Sequence, residues 1–281
     1  MKKFLADFKN NYKIYSINII VSVFFLLPIL WILSTSLKSE ADITENPTKW
    51  IPESLTLENF KAIFNIRDGD FGTYFLNTVV ITLITVLIVI IISSLAGYGF
   101  SKLDIPLKNL FLLLILSTMM IPFHGLLIPL FNIMKSFNIL NTHAALILIY
   151  VTFQLPFCVY MLKNTFDAIP ESIRESAMID GSSEIRVFLK IILPLAWPGI
   201  ATVAIFSAYT TWNDFIIALV FVNSNNLLTL NVGLTNLAVG QYGTKWGLLA
   251  SGSIISFIPI IILFMFLQRY FIAGLTSGSV K

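Results

Sequence analysis

Charge is what this sequence has least of. Asp, Glu, Lys and Arg make up 12% of its 281 residues, against about 25% in a soluble globular domain. That shortfall leaves too little polar surface to cover a water-exposed globule. The sole cysteine, Cys158, excludes an internal disulfide and a cysteine metal set. The two histidines, His124 and His143, have no paired carboxylates at ligand spacing, so no metal site is expected. Basic and acidic residues number 18 and 15, too even a balance for a nucleic-acid footprint. No G-x-x-x-x-G-K-[ST] loop is present to cradle phosphates, and no nucleophile with its base stands in the apolar segments. The chain is therefore expected to be no enzyme and to hold no cofactor of its own.

What the sequence has is long apolar runs. Hydrophobic residues make up 57% of it, and mean hydropathy is +0.85. Crossing the hydrocarbon core takes about 20 mainly apolar residues as a helix. Six segments qualify, at 17–33, 75–95, 110–130, 144–162, 199–222 and 247–267, and none holds a lysine or arginine. Pro28, Pro122, Pro129, Pro156 and Pro259 interrupt them. Bilayer helices tolerate such prolines where neighbours satisfy the freed carbonyls. The expected fold is all-α: a polytopic membrane protein of six transmembrane helices, one domain over 1–281.

Orientation follows from the basic residues near the span ends. Lys2, Lys3, Lys9, Lys13, Lys102, Lys108, Lys163, Arg174, Arg186, Lys190, Arg269 and Lys281 fall on one side. Lys38, Lys49, Lys61, Arg67, Lys135 and Lys245 fall on the other, the first four in a loop with seven acids (Glu40, Asp42, Glu45, Glu53, Glu58, Asp68, Asp70). Both termini are expected in the cytoplasm. Lys2 and Lys3 ahead of an apolar run resemble a signal peptide. The run is as long as a span, however, and Ser34 to Lys38 offers no small-x-small cleavage site, so an uncleaved signal-anchor is expected.

The most informative stretch is the loop 163–198 between the fourth and fifth spans. Pro170 suits the first turn of a helix, and Gly181 the left-handed position just past its end. A short helix from about Pro170 to Ile179 is expected. Ser182 is then expected to cap a second helix running toward Pro194. Two such helices make an elbow that can dock another protein. Ser176 and Ala177 are small enough for close approach, and Glu175 offers a charge to a basic partner residue.

Glu175, Ala177, Gly181, Ile191, Leu193 and Pro194 match the EAA signature of bacterial ABC importer permeases: E-A-A, three residues, G, nine residues, I, one residue, L-P. Ser176 departs from the alanine of that pattern, and Asp180 matches the form common in the carbohydrate-uptake branch. WIPESLTLENFKAIF (Trp50 to Phe64), MIPFHGLLIPL, TWNDF and the ending GLTSGSVK (Gly274 to Lys281) resemble the maltose-type permeases of that branch. The resemblance implies a type I ABC importer permease in the bacterial cytoplasmic membrane. The loop would be a cytoplasmic coupling helix, with Glu175, Ser176, Ala177, Asp180, Gly181, Leu193 and Pro194 in the coupling role. It also implies a second permease subunit, two ATP-binding subunits that bind ATP and Mg, an extracytoplasmic solute-binding protein, surrounding membrane lipid and a sugar or oligosaccharide substrate.

Asp214 is the only acid within any expected span. Ser207, Thr210, Thr211 and Asp214 recur at helical spacing as a polar stripe, flanked by Trp212 and Asn213. One reading is a sugar path, with carboxylate and amide bonding hydroxyls and Trp212 stacking on a sugar face. The other is a buried hydrogen-bond network between helices. Gln154, near Pro156, is a second candidate for the path. An ion-coupled carrier using Asp214 is the alternative function. It predicts a repeated architecture and more intramembrane charge, and the sequence displays neither.

Overall fold

The structure, a computed structural model, describes residues 11–65, 71–240 and 243–276. Lys2, Lys3, Lys9, Arg67, Asp68, Asp70, the side chain of Arg269 and the end of the tail through Lys281 lie outside the described residues. Helices in chain order are α1 (Tyr12–Ser36), α2 (Glu40–Glu45), α3 (Glu58–Asn65), α4 (Phe71–Lys102), α5 (Lys108–Ser117), α6 (Leu127–Ser136) and α7 (His143–Asp167). They continue as α8 (Glu171–Ile179), α9 (Glu184–Leu195), α10 (Trp197–Trp212), α11 (Ile216–Phe221), α12 (Leu230–Ala238) and α13 (Trp246–Thr276). A minimal hairpin pairs β1 (Val239–Gly240) with β2 (Gly243–Thr244).

Among the described residues, α1, α4, α7 and α13 are each long and apolar enough to cross a bilayer. Two bent pairs bring the number to as many as six. The expected third span, 110–130, is not one helix: the segments on either side of Ile121 and Pro122 meet at 88°. Pro122 has no N–H to give, and its ring pushes Ile121 into extended backbone (φ −80°, ψ 119°). The expected fifth span, 199–222, is also interrupted. α10 ends at Trp212, and Asn213, Asp214 and Phe215 intervene before α11. Upstream, α9 and α10 meet at 75° around Ala196, between Pro194 and Pro198.

The chain forms two compact units. One holds α1 to α3 with Leu234–Phe257. In it α1 leaves its apolar side chains exposed, as a lipid-facing helix does. The loop after α1 is folded on itself. Asn59 donates to the carbonyls of Ser36 (3.0 Å) and Lys38 (2.8 Å), and buried Asp42 accepts from the Glu53 amide (3.1 Å). Lys38 is buried as well, its ammonium 5.0 Å from the Trp31 ring centre and bonded to the Lys49 carbonyl.

The other unit runs from Gly69 to Gly233 and takes in the chain beyond Ile258. Its core is α4 packed on α7 and α10. α4 turns Thr78, Thr82, Thr85, Ser93, Ser94 and Gly97 inward, while Leu76, Leu83, Leu87 and Leu95 face out. Small residues let helices approach closely where lipid offers no hydrophobic drive. At Gly97 the approach is close enough that a Cβ would lie 2.9 Å from the Lys163 amide nitrogen.

Candidate functional site

The loop after α7 forms the elbow that its sequence implies. Ile169 is buried, Pro170 stands at the N-cap of α8, and Glu171 opens the first turn. The helix stops at Gly181, whose φ of +83° is open to glycine at no cost. The Gly181 amide donates to the Met178 carbonyl and the Ser182 amide to the Ala177 carbonyl, both at 3.0 Å. Those two bonds are the Schellman closure, which satisfies carbonyls that a helix end otherwise leaves open. The second arm departs from expectation by one residue. Ser183, not Ser182, takes the N-cap of α9, and its hydroxyl makes no capping bond, because Ser182 is already spent in the Schellman turn. α9 contains a π-helical turn over Phe188–Ile192, just before Pro194.

The tip of the elbow is exposed. Glu175, Ser176, Asp180 and Gly181 face outward, and Ala177 is half-buried. Apolar side chains flank them: Ile179 is 86% exposed, Ile185 72% and Met178 40%. Glu175 has no ion-pair or side-chain hydrogen-bond partner among the described residues. Leu193 and Pro194 lie away from this tip. They line an apolar cleft of about 590 Å³ with Ile91, Leu95, Phe188 and Trp197.

The base of the elbow is tied down by residues that the sequence does not single out. Arg174 donates from Nε and Nη2 to the two oxygens of Glu184, each at 2.8 Å, and from Nη1 to Glu171 at 2.8 Å. The Tyr98 hydroxyl of α4 donates to Glu184. Lys102 donates to the Ile169 carbonyl (2.6 Å) and pairs with Glu171 (3.2 Å). Burial works to raise the Glu171 carboxyl, but the hydrogen bonds and charges of Arg174 and Lys102 outweigh it and hold the group below the usual carboxylate range. Glu184 is held low chiefly by the Arg174 guanidinium, against partial burial. The spacing of Glu171 and Arg174, one helical turn apart, is visible in the sequence. The pairing of Tyr98 with Glu184, across 86 positions, leaves no local signal.

The second group of candidates lies where α7 meets α10 and α11. Gln154 is buried, donating to Thr211 Oγ1 (3.0 Å) and accepting from the Ser207 hydroxyl. Asp214 accepts from the Tyr150 hydroxyl (2.7 Å) and from the amides of Ala218 (3.0 Å) and Ile217 (3.4 Å) at the start of α11. Trp212 is buried, its ring edge-on to Phe75 at 5.7 Å. Asn213 is exposed and donates to the Tyr209 carbonyl (2.9 Å). Gln154 and Asp214 are thus drawn into one polar wall, and Asn213 stands free of it.

Comparison with known proteins bears on both groups. Residues 89–277 match the family model described as binding-protein-dependent transport system inner membrane component. The chain is 36% identical to the sulfoquinovosyl glycerol transport system permease protein SmoH of Agrobacterium fabrum, over 91% of this chain and 89% of that relative. It is 38% identical to the arabinooligosaccharides transport system permease protein AraQ of Halalkalibacterium halodurans, over 91% of both. Its fold is similar to a chain of a bacterial ABC transporter involved in import of the acidic polysaccharide alginate, with a TM-score of 0.79, 25% identity, and coverage of 93% of this chain and 98% of that one. With the matched region taking in α7 to α11, and with it both the elbow and the polar wall, the chain belongs to the family of binding-protein-dependent transport system inner membrane components.

Proposed function

We propose that this chain is one permease subunit of an ATP-driven importer of a sugar or oligosaccharide, and that its elbow docks into a partner ATPase. The observation that carries the reading is the asymmetry of the elbow. Its tip presents exposed Met178, Ile179 and Ile185 beside Glu175, which has no ion-pair partner among the described residues, while its base is bonded into the rest of the unit. Exposed apolar side chains rimmed by polar groups suit a protein partner. Serine and alanine at 176 and 177 admit that partner's backbone, Asp180 and Gly181 close the turn, and Leu193 and Pro194 set the direction of the second arm.

ATP and Mg are bound by the partner, two copies of which serve two permease subunits. This chain acts as a single permease domain, since six helices of one chain do not enclose a hexose-sized path and a second permease completes it. An extracytoplasmic solute-binding protein delivers the sugar, as the family's binding-protein dependence supports. Both termini and the elbow face the cytoplasm, by the basic-residue asymmetry. Within the membrane, Asn213 borders the sugar path, and Trp212, Gln154 and Asp214 hold its wall in shape.

The test is co-purification of the ATP-binding subunit with Glu175→Ala and Ile179→Asp variants, alongside sugar uptake. Both variants should lose association and uptake together. Wild-type association and uptake in both would overturn the docking assignment.

A further inference from the structure

We propose that Arg174 is a positioning residue, the pin of a clamp that fixes both arms of the elbow to the last turn of α4. The elbow then moves as one body with that helix. The proposal rests on the docking role proposed above.

The tip and the base of the elbow differ in kind. Among the described residues the tip is held by backbone bonds of its own, the Schellman turn over Ala177 to Ser182 and the Asp180 amide to the Ser176 carbonyl. A glycine turn sets the angle between two arms but resists bending poorly. What resists bending is the set of side chains that bridges the arms below the turn. Arg174 on α8 reaches back to Glu171 and across to both oxygens of Glu184 on α9, a fork-to-fork geometry that a lysine could not reproduce.

α4 enters the same set twice. Tyr98 donates to Glu184 while its ring packs on Phe166 of α7 (5.9 Å) and Phe188 of α9 (4.8 Å). One turn on, Lys102 pairs with Glu171 and bonds the Ile169 carbonyl, and Ser101 donates to Asp167 at 2.6 Å. Two cations and two carboxylates balance. The cations are the better shielded, with side-chain exposures of 5% for Lys102 and 21% for Arg174 against 30% for Glu184 and 42% for Glu171. A push on the exposed tip is therefore delivered to α4, the longest helix of the unit, instead of being spent in opening the angle between α8 and α9.

The consequence is a separation of two properties. Docking depends on the exposed face of the tip, which the clamp does not touch. Transmission depends on the clamp. In the assembled transporter, Arg174→Gln should leave the ATP-binding subunit bound, while sugar taken up per ATP hydrolysed falls about tenfold, the size expected for losing a bidentate, largely shielded charge pair. Tyr98→Phe, which keeps the ring packing and deletes one bond, should shift the same ratio about threefold. Arg174→Lys, which keeps the charge but not the fork, should recover only part of the loss.

A wild-type ratio of uptake to hydrolysis in Arg174→Gln would overturn the clamp. So would loss of the ATP-binding subunit with an unchanged ratio in the complexes that remain, because the residue would then serve docking. The docking reading itself fails on a different result, wild-type association and uptake in both Glu175→Ala and Ile179→Asp, so the two failures are told apart.

Discussion

Gly181 offers a clean test, because the structure separates conformational cost from steric cost there. Its φ is +83°, and a Cβ added at that position would meet nothing within 4 Å. The penalty for adding a Cβ there is therefore backbone strain. For an ordinary L-residue the left-handed region costs roughly 1–2 kcal/mol, and a β-branched residue there is a true outlier. If the turn gives way, the bonds from Gly181 to Met178 and from Ser182 to Ala177 go with it. At this exposed site water replaces them, so each adds only about 0.5 kcal/mol. Gly181→Val should thus destabilise the closed turn by about 2–3 kcal/mol, Gly181→Ala by about half that, and Gly181→Asn least, since asparagine visits this region readily. At 1.4 kcal/mol per factor of ten, valine should cut the closed-to-open ratio of the turn by well over tenfold. The assay is uptake and co-purification of the ATP-binding subunit for the three variants in parallel. Equal behaviour of valine and asparagine would refute the reasoning, because asparagine enters the left-handed region readily and valine does not.

Three further expectations follow from other parts of the molecule. The Glu171 and Glu184 carboxyls are held below their usual range, so the folded chain binds fewer protons than the unfolded one; their contribution is complete above the ordinary glutamate value of about 4.3 and is lost as pH falls through the depressed values. The melting temperature of the solubilised complex should accordingly drop on acidification, and a slope as steep in Arg174→Gln as in the wild type would contradict that account. Asp214→Asn turns one of the two oxygens that accept from Tyr150 and the Ala218 and Ile217 amides into a donor, and should lower thermal stability by about 1–3 kcal/mol while leaving the sugar affinity of surviving complexes unchanged; Asn213→Ala should do the reverse, and a binding titration beside a melt decides between them. In a Cys158-free background, single cysteines at Glu45 and Asn138 should react with an impermeant maleimide in sealed cells, whereas one at Asp180 should react only after permeabilisation.

The elbow was legible because its signals are local. Pro170 and Gly181 set the two ends of α8 within a dozen residues, and the turn between the arms needs a residue type that only glycine supplies freely. The cap of α9 was displaced by one residue because two serines are adjacent, and the Schellman turn claims the first. The break in the third apolar run was less legible, since the same proline kinks one bilayer helix and divides another; Pro156 stays inside α7 while Pro122 parts α5 from α6. Of the clamp, the sequence displays only the one-turn spacing of Glu171 and Arg174. Tyr98 reads as one more aromatic in an apolar helix, and its link to Glu184 exists only once α4 and α9 have packed.

The interruption at Asn213 to Phe215 explains why an acid stands in an otherwise apolar run. Ending a helix within a bilayer exposes amides and carbonyls that water cannot satisfy, each at a cost of several kcal/mol. The partners here come from side chains. The Asp214 carboxylate accepts from the Ala218 and Ile217 amides that open α11, and Asn231 donates to the carbonyls of Trp212 (3.1 Å) and Asp214 (3.3 Å) at the close of α10. Tyr150 completes Asp214 from α7, and Gln154, one turn further along the same helix, holds Ser207 and Thr211 of α10. The polar stripe is thereby consumed by the chain's own backbone and by its neighbours. Asn213 and the ring of Tyr209 before it stay exposed beside that wall. The acid in this otherwise apolar run is accounted for by the helix ends it satisfies.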